Sequence, residues 1–193
     1  MSFRTEEKIK IDNFKINEFL SYIYKLGASK IYPDREVNSV YFDNNFFDMY
    51  HQSIEGVLPR KKIRTRYYNQ NKKEIFLEMK INSCEGRFKT SEKLIDNKIF
   101  KFGIFDREYG RCFPKIKIKY NRSYFKYKKL RITIDQNINY KKFLSFDAKK
   151  DKDSIVEIKG DYNLNFDYLR ETIPFERIRF SKYSNSVEKC IKI

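Results

Sequence analysis

The chain has little of what most metal and nucleophile chemistry requires. Its single histidine, His51, excludes histidine-rich zinc sites and leaves a Ser-His-Asp arrangement resting on one residue with no supporting motif. Three cysteines, Cys84, Cys112 and Cys190, are odd in number, scattered and never paired as CxxC. They exclude a disulfide framework and fit a reducing compartment. No apolar run approaches the roughly 18 to 20 residues that cross a bilayer, and the opening MSFRTEEK lacks the apolar centre of a signal peptide. A cytoplasmic protein is expected. Tryptophan is absent, and only six glycines and four prolines punctuate the 193 residues, with no repeat or low-complexity tract. One domain spanning residues 1–193 is the expectation.

In place of these the chain has positive charge and aromatic bulk. Its 42 Lys and Arg against 26 Asp and Glu give a net charge of +16, spread along the sequence without a basic tail. Such an excess points to a polyanion: nucleic acid, an anionic membrane surface or a chain of phosphates. The 18 Phe and 15 Tyr supply a core despite the 35% charged content. With histidine and cysteine scarce, any metal must rest mainly on carboxylates, and hard oxygen ligands suit Mg²⁺ or Mn²⁺.

Periodicity predicts one clear surface helix, Asn13 to Leu26, with Ile16, Phe19, Leu20, Ile23 and Leu26 on its apolar stripe and Gly27 as its stop. Shorter helices are expected around Asn45 to Ser53, Ser91 to Phe102 and Ser184 to Ile191. Most of the remainder reads as short strands: Phe3 to Ile11, Val37 to Asp43, Arg60 to Tyr68, Lys73 to Ile81, Glu85 to Thr90, Lys115 to Tyr124, Leu130 to Asp135, Ser154 to Lys159 and Glu176 to Phe180. The polar stretch Asp147 to Asp153 reads as a loop.

The polar faces of these strands are unusually uniform. Lys62, Arg64 and Arg66 alternate with Ile63, Thr65 and Tyr67; Glu78 and Lys80 alternate with Leu77, Met79 and Ile81. Arg4, Glu6, Lys8 and Lys10 share one face of the first strand, Arg131, Thr133 and Asp135 one face of another, and Glu157 and Lys159 one face of a third. Two architectures satisfy this pattern. In one, an open antiparallel sheet wets its charged face. In the other, the sheet closes into a barrel with charges inside, where an excess of Arg and Lys requires an anionic guest. Tyr41, Phe42, Tyr67 and Tyr68 read as packing residues, and His51 as structural or exposed.

These segments resemble the catalytic domain of the VTC polyphosphate polymerases, a branch of the triphosphate tunnel metalloenzymes. The resemblance runs through Arg4-Thr5-Glu6-Glu7-Lys8, Ser39-Val40-Tyr41-Phe42-Asp43, Lys62-Ile63-Arg64-Thr65-Arg66-Tyr67 and Leu77-Glu78-Met79-Lys80. It continues through Lys89, Tyr120-Asn121-Arg122, Leu130 to Asp135, Val156-Glu157-Ile158-Lys159 and Phe180-Ser181-Lys182-Tyr183. It implies an α+β fold: a closed antiparallel barrel of about eight strands with a charged lumen, flanked by several helices.

Carried onto the matching positions, the resemblance gives Arg64, Arg66, Lys80, Arg122, Arg131 and Lys159 catalytic roles on the phosphates. Lys8, Lys62, Lys89, Tyr120 and Lys182 line the phosphate path, and Glu157 is the principal metal ligand beside Glu6 and Glu78. The implied partners are ATP and inorganic polyphosphate with Mn²⁺ or Mg²⁺, and the implied reaction is transfer of the γ-phosphoryl group to a growing chain. Triphosphate hydrolysis in the same fold, or a non-catalytic module binding polyphosphate or nucleic acid, are the competing readings. No nucleic-acid-reading motif occurs, so no nucleic acid is expected. Two departures stand out: Arg4 replaces the first glutamate of the hydrolytic relatives, and Thr90 and Ser91 follow Lys89 where a further basic residue is common. The resemblance also implies that the last helix plugs one tunnel end, and that export of a product through a membrane needs another polypeptide.

Overall fold

A computed structural model describes residues 4–69, 71, 73–161 and 166–191. In chain order the elements are β1 (Arg4–Asp12), a 3-10 turn (Asn13–Lys15), α1 (Ile16–Lys25), β2 (Ser29–Asp43), α2 (Asp48–Glu55), β3 (Arg60–Tyr68), β4 (Phe76–Ser83) and β5 (Gly86–Lys93). They continue with α3 (Ile99–Phe102), β6 (Ile104–Asp106), β7 (Gly110–Tyr127), β8 (Leu130–Lys142), β9 (Ala148–Lys150), β10 (Asp153–Asp161), α4 (Phe166–Thr172) and α5 (Lys182–Cys190). No helix among the described residues is long and apolar enough to cross a membrane.

Eight strands form one antiparallel ladder in the order β1, β10, β8, β7, β2, β3, β4, β5, while β6 pairs with β7 and β9 with β8. The expected closed barrel requires β1 and β5 to pair, and among the described residues they do not. The ladder is open, yet the sheet curls until its edges meet through side chains: Arg87 Nη1 of β5 lies 3.0 Å from Glu6 Oε2 of β1. Strand β5 is almost wholly exposed and polar, Arg87, Lys89, Thr90, Ser91, Glu92 and Lys93, so no apolar face drives it onto β1.

Alternation sorts the walls. On the outer face Ile9, Ile11, Ile132, Ile134, Val156 and Ile158 bury against Phe19 and Ile23 of α1 and against Leu169 and Ile173. Each such side chain removed from water contributes about 2 kcal/mol, which fixes α1 in place. On the inner face at one end, Ile116, Ile118, Tyr140 and Ile155 pack with Tyr183 and Val187 of α5 in the other cluster. Helix α5 therefore fills that end of the curl, leaving the charged inner face above it. Asp43, fully buried at the end of β2, ties this arrangement together. Its carboxylate accepts from the Asn44, Met49 and Tyr50 amides at the start of α2 and from the Tyr183 hydroxyl at 2.6 Å.

Several expected boundaries shift. Glu176 to Phe180 forms no strand; it touches β1 by one bridge, Ile9 to Arg177, and by the Ile178 amide donating to the Lys8 carbonyl. Arg177 instead binds Glu7 and the carbonyls of Leu169, Ile173 and Phe175, so the segment shields the exposed edge of β1. Of the helix expected over Ser91 to Phe102 only Ile99–Phe102 is helical, because Ser91 to Lys93 still pair with β4. The stretch read as a loop contains β9. Replacing Asp43 with Ala strands three buried amides and one hydroxyl, and should lower unfolding stability by about 3 kcal/mol in a urea melt, with Asp43→Asn retaining part of the loss.

Candidate functional site

Strand register brings the inward charges of seven strands onto one cavity of about 450 Å³. Strand β3 contributes Lys62, Arg64 and Arg66, β1 Glu6 and Lys8, β4 Lys80, β5 Arg87 and Lys89, β8 Arg131, and β10 Glu157 and Lys159. Tyr41, Tyr120, Arg122 and Lys182 complete the wall from β2, β7 and α5. Every cation given a phosphate role, and Tyr120, thus faces the same space, as do Glu6 and Glu157; Lys10 of the same strand face pairs instead with Asp153 at 2.9 Å, and the Arg4 side chain lies outside the described residues.

Two buried carboxylates sit behind the arginines and hold them. Arg64 Nε and Nη2 both reach Glu78 Oε2, at 2.8 and 2.7 Å, and Lys89 reaches the other oxygen at 2.7 Å. Register places Arg64 directly opposite Glu78. Burial raises the Glu78 carboxyl, but Arg64, Arg66 and Lys89 outweigh it and bring it down to about 2. Arg122, directly opposite Asp135, grips it with Nε and Nη2 at 2.5 and 2.7 Å, and Lys182 also donates to Asp135. Against burial, Arg122 and Lys182 keep that carboxyl below its usual value. The arginines are further aimed by Tyr41, whose oxygen accepts from Arg64 at 2.8 Å, and by Ser39 and Tyr120, which accept from Arg66.

Tyr41 is expected to pack, and Asp135 to stand among the lining carboxylates, where it binds Arg122 and Lys182; Ser39, Arg87 and Ser181 join the site without having been marked for it by the sequence pattern. Tyr41 does pack, stacking on Tyr183 with ring centroids 5.2 Å apart, but its hydroxyl serves the arginine. The signal lay in strand parity: Ser39 and Tyr41 alternate with Val40 and Phe42, and the charged strand β3 pairs alongside.

Glu6 and Glu157 lie diagonally on the adjacent strands β1 and β10, with Lys159 directly opposite Glu6 and Lys8 directly opposite Glu157. Lys159 pairs with Glu157 and lies 3.6 Å from Glu6. Lys8 and Lys80 also approach Glu6, at 3.3 and 3.9 Å. Burial opposes ionisation of Glu157, yet Lys159, Arg122 and Lys8 hold its carboxyl well below the ordinary range. Glu78 stands apart, engaged by Arg64 and Lys89. Among the described residues no three His, Cys, Asp or Glu groups converge on one point. Two ionised carboxylates in a phosphate-sized cationic cavity nevertheless fit Mg²⁺ or Mn²⁺, which bind through one or two carboxylates, water and substrate phosphates.

Lys62 differs from its neighbours. Its amine donates to Ser181 Oγ at 2.7 Å, and no carboxylate lies within ion-pair distance among the described residues. Burial, reinforced by Lys8, Lys80, Arg60 and Arg64, pushes it down to about 7. Above that pH the free protein holds Lys62 largely uncharged, and a bound polyanion restores the proton. Tripolyphosphate binding should therefore take up a proton between about pH 7 and 10, weakening by up to tenfold per pH unit as pH rises. Calorimetry at pH 8 in buffers of different ionisation enthalpy measures this. Lys62→Met should abolish the uptake, and a wild-type protein showing none would refute the coupling.

Comparison with solved structures places the fold. A Pyrococcus horikoshii protein, PH1819, superposes with a TM-score of 0.56 at 16% identity, covering 97% of this chain and 99% of that one. A conserved protein of Pyrococcus furiosus gives 0.57 at 15% identity over 93% and 99%. The adenylyl cyclase candidate HpAC1 of Hippeastrum, described as having a dominant triphosphatase activity, gives 0.55 at 14% identity over 97% and 98%. These likenesses are of fold. Residues 3–191 match the VTC domain, so the chain belongs to the VTC domain family, as its ordered array of strand motifs implied.

Proposed function

We propose that the cavity binds the triphosphate of ATP and the end of an inorganic polyphosphate chain, and transfers the γ-phosphoryl group between them. The observation that carries this reading is the convergence of Lys8, Lys62, Arg64, Arg66, Lys80, Arg122, Arg131 and Lys159 on one partly enclosed space with few carboxylates. Phosphoryl transfer calls chiefly for alignment and for positive charge at the equatorial oxygens. Arg64, Arg66 and Arg122, locked by Glu78, Tyr41, Tyr120 and Asp135, provide fixed donors. Lys89 and Lys182 extend the grip, and Arg131 reaches in from an exposed position at the mouth.

In this scheme a terminal phosphate oxygen attacks the γ-phosphorus, a new P–O bond forms, the bond to the β-bridging oxygen breaks, and ADP leaves with the electron pair. The nucleophile is already anionic and needs no base. That matches the carboxylates present, since a Glu78 held near 2 and a Glu157 held well below the ordinary carboxylate range by Lys159 and Arg122 are poor proton acceptors. Glu157 and Glu6 would hold Mn²⁺ or Mg²⁺, which when bound supplies positive charge to the phosphate oxygens. Hydrolysis is the second reading, favoured by the triphosphatase activity described for the Hippeastrum protein of the same fold. There a water held by Glu6 takes the place of the chain end.

Incubation of the purified protein with ATP and Mn²⁺ or Mg²⁺, resolving polymer, ADP and free phosphate, separates these readings. Arg64→Ala should lower turnover by about a hundredfold or more, as removal of a transition-state donor does. Arg131→Ala, which leaves no ion pair broken among the described residues, should weaken turnover without lowering the melting temperature. Polymer with ADP supports the polymerase. Free phosphate without polymer supports the hydrolase. Turnover no greater than that of Glu157→Gln would end the case for catalysis, leaving a polyphosphate-binding module.

A further inference from the structure

Beyond the cavity, the loops at the far end of β7 and β8 expose large apolar side chains. Phe146 is 96% exposed, Leu144 81%, Phe46 79% and Phe105 71%. Their three segments meet around the start of β7. Lys115 donates from Nζ to Asn45 Oδ1 at 3.1 Å, and its carbonyl accepts from the Phe143 amide at 2.7 Å. Arg111 Nη1 donates to the Phe102 carbonyl at 2.8 Å, and Phe100 stacks on Phe143 with centroids 6.2 Å apart. The exposed groups therefore belong to one surface built on the strands β7 and β8.

That surface is cationic as well as apolar. Lys101 lies over Phe102, Lys115 over Phe47, Lys117 over Phe143 and Lys141 over Phe146, each ammonium 4.6 to 5.3 Å from the ring centre. Lys142 is exposed beside them. Of the nearby carboxylates, Asp106 is bound by Lys61, which also lies 3.7 Å from the exposed Glu108, and Asp48 accepts from Asn44, while Asp147 stands at the end of the loop. Two of the five positive-φ non-glycine residues among the described residues fall in these loops, Phe47 at φ 58 and Leu144 at φ 68. Leu144 is the third residue of a turn closed by the Ser145 amide on the Lys142 carbonyl at 3.0 Å, and that turn holds its side chain out to solvent.

We propose that this end of the protein docks on a bilayer surface carrying anionic headgroups, with Phe146, Leu144 and Phe46 entering the interface and the lysines meeting the headgroup phosphates. Aromatic and aliphatic tips set among lysines suit that boundary, where apolar burial and electrostatic attraction act together. Single-stranded nucleic acid would use ring faces as stacking platforms, but Leu144 offers none and the lysines already cover Phe143 and Phe146. Docking leaves the phosphate cavity open, because Ile116 and Arg122 on β7 are six residues, or about 20 Å, apart.

Vesicle sedimentation at about 0.1 M salt provides the test. Vesicles of phosphatidylcholine with phosphatidylglycerol should capture the protein, and phosphatidylcholine alone should capture little. Leu144→Ser with Phe146→Ser should reduce capture at least tenfold, and Lys101→Glu or Lys142→Glu about fivefold or more each, in line with the weight of one lysine near an anionic surface. All four positions are exposed, so thermal melting and turnover of soluble ATP should not change. No capture by anionic vesicles would overturn the proposal, as would capture indifferent to the Leu144 and Phe146 change. Tighter binding of the same surface to single-stranded RNA, lost in those variants, would also overturn it.

Discussion

Like charges crowded into a half-enclosed space repel, and the inner face of this sheet is organised around that cost. Eleven Lys and Arg side chains line the cavity, while Glu6, Glu78, Asp135 and Glu157 are the carboxylates that meet them. Each carboxylate is shared by at least two cations. Glu6 serves Lys8, Lys80, Arg87 and Lys159; Glu78 serves Arg64 and Lys89; Asp135 serves Arg122 and Lys182; Glu157 serves Lys159 and Arg122. Sharing keeps the folded state viable without neutralising it. What remains is an excess of positive charge on the inner face, a field that favours anions.

The carboxylates also decide geometry. Arg64 opposite Glu78 and Arg122 opposite Asp135 are directly paired residues on adjacent antiparallel strands, so the pairing register itself fixes where each guanidinium can lie. Donors fixed before the substrate arrives lose little on binding and are most effective where charge develops during transfer. Helix α5 joins this frame twice, through Lys182 at Asp135 and through Tyr183 at Asp43. Helix placement, strand register and donor aim are therefore one structural fact.

Much of this was legible in the sequence, because strand alternation is a local property. The i, i+2 spacing of Lys62, Arg64 and Arg66 and of Glu157 and Lys159 announced a charged face, and the bounds of β3 match its run of residues. What could not be read depends on distant partners. Asp43 sits in an apolar strand, and its meaning as the junction of α2 and α5 appears only when Tyr183, 140 positions later, arrives beside it. Glu176 to Phe180 has strand composition, yet Arg177 finds more partners in the carbonyls of the α4 region than a ladder would offer. Tyr41 reads as ordinary packing, and Ser39 carries no signal of its own, until β3 places Arg64 and Arg66 against them.

Closure of the sheet was the expectation least accessible to pattern, and its outcome bears on function. Hydrogen-bonded closure would have made the wall a fixed ring. Instead β1 and β5 are joined by Arg87 and Glu6, long side chains whose bond is electrostatic and partly exposed to water. Glu6 is also one of the two carboxylates suited to a divalent ion, and Arg87 is one of the cavity's cations. The seam and the site thus draw on the same two side chains. A phosphate that engages Arg87, or an ion that engages Glu6, competes directly with the contact holding the edges together. Lys80 of β4 reaches the same Glu6 oxygen at 3.9 Å, so the seam is a shared network of side chains and not a backbone ladder.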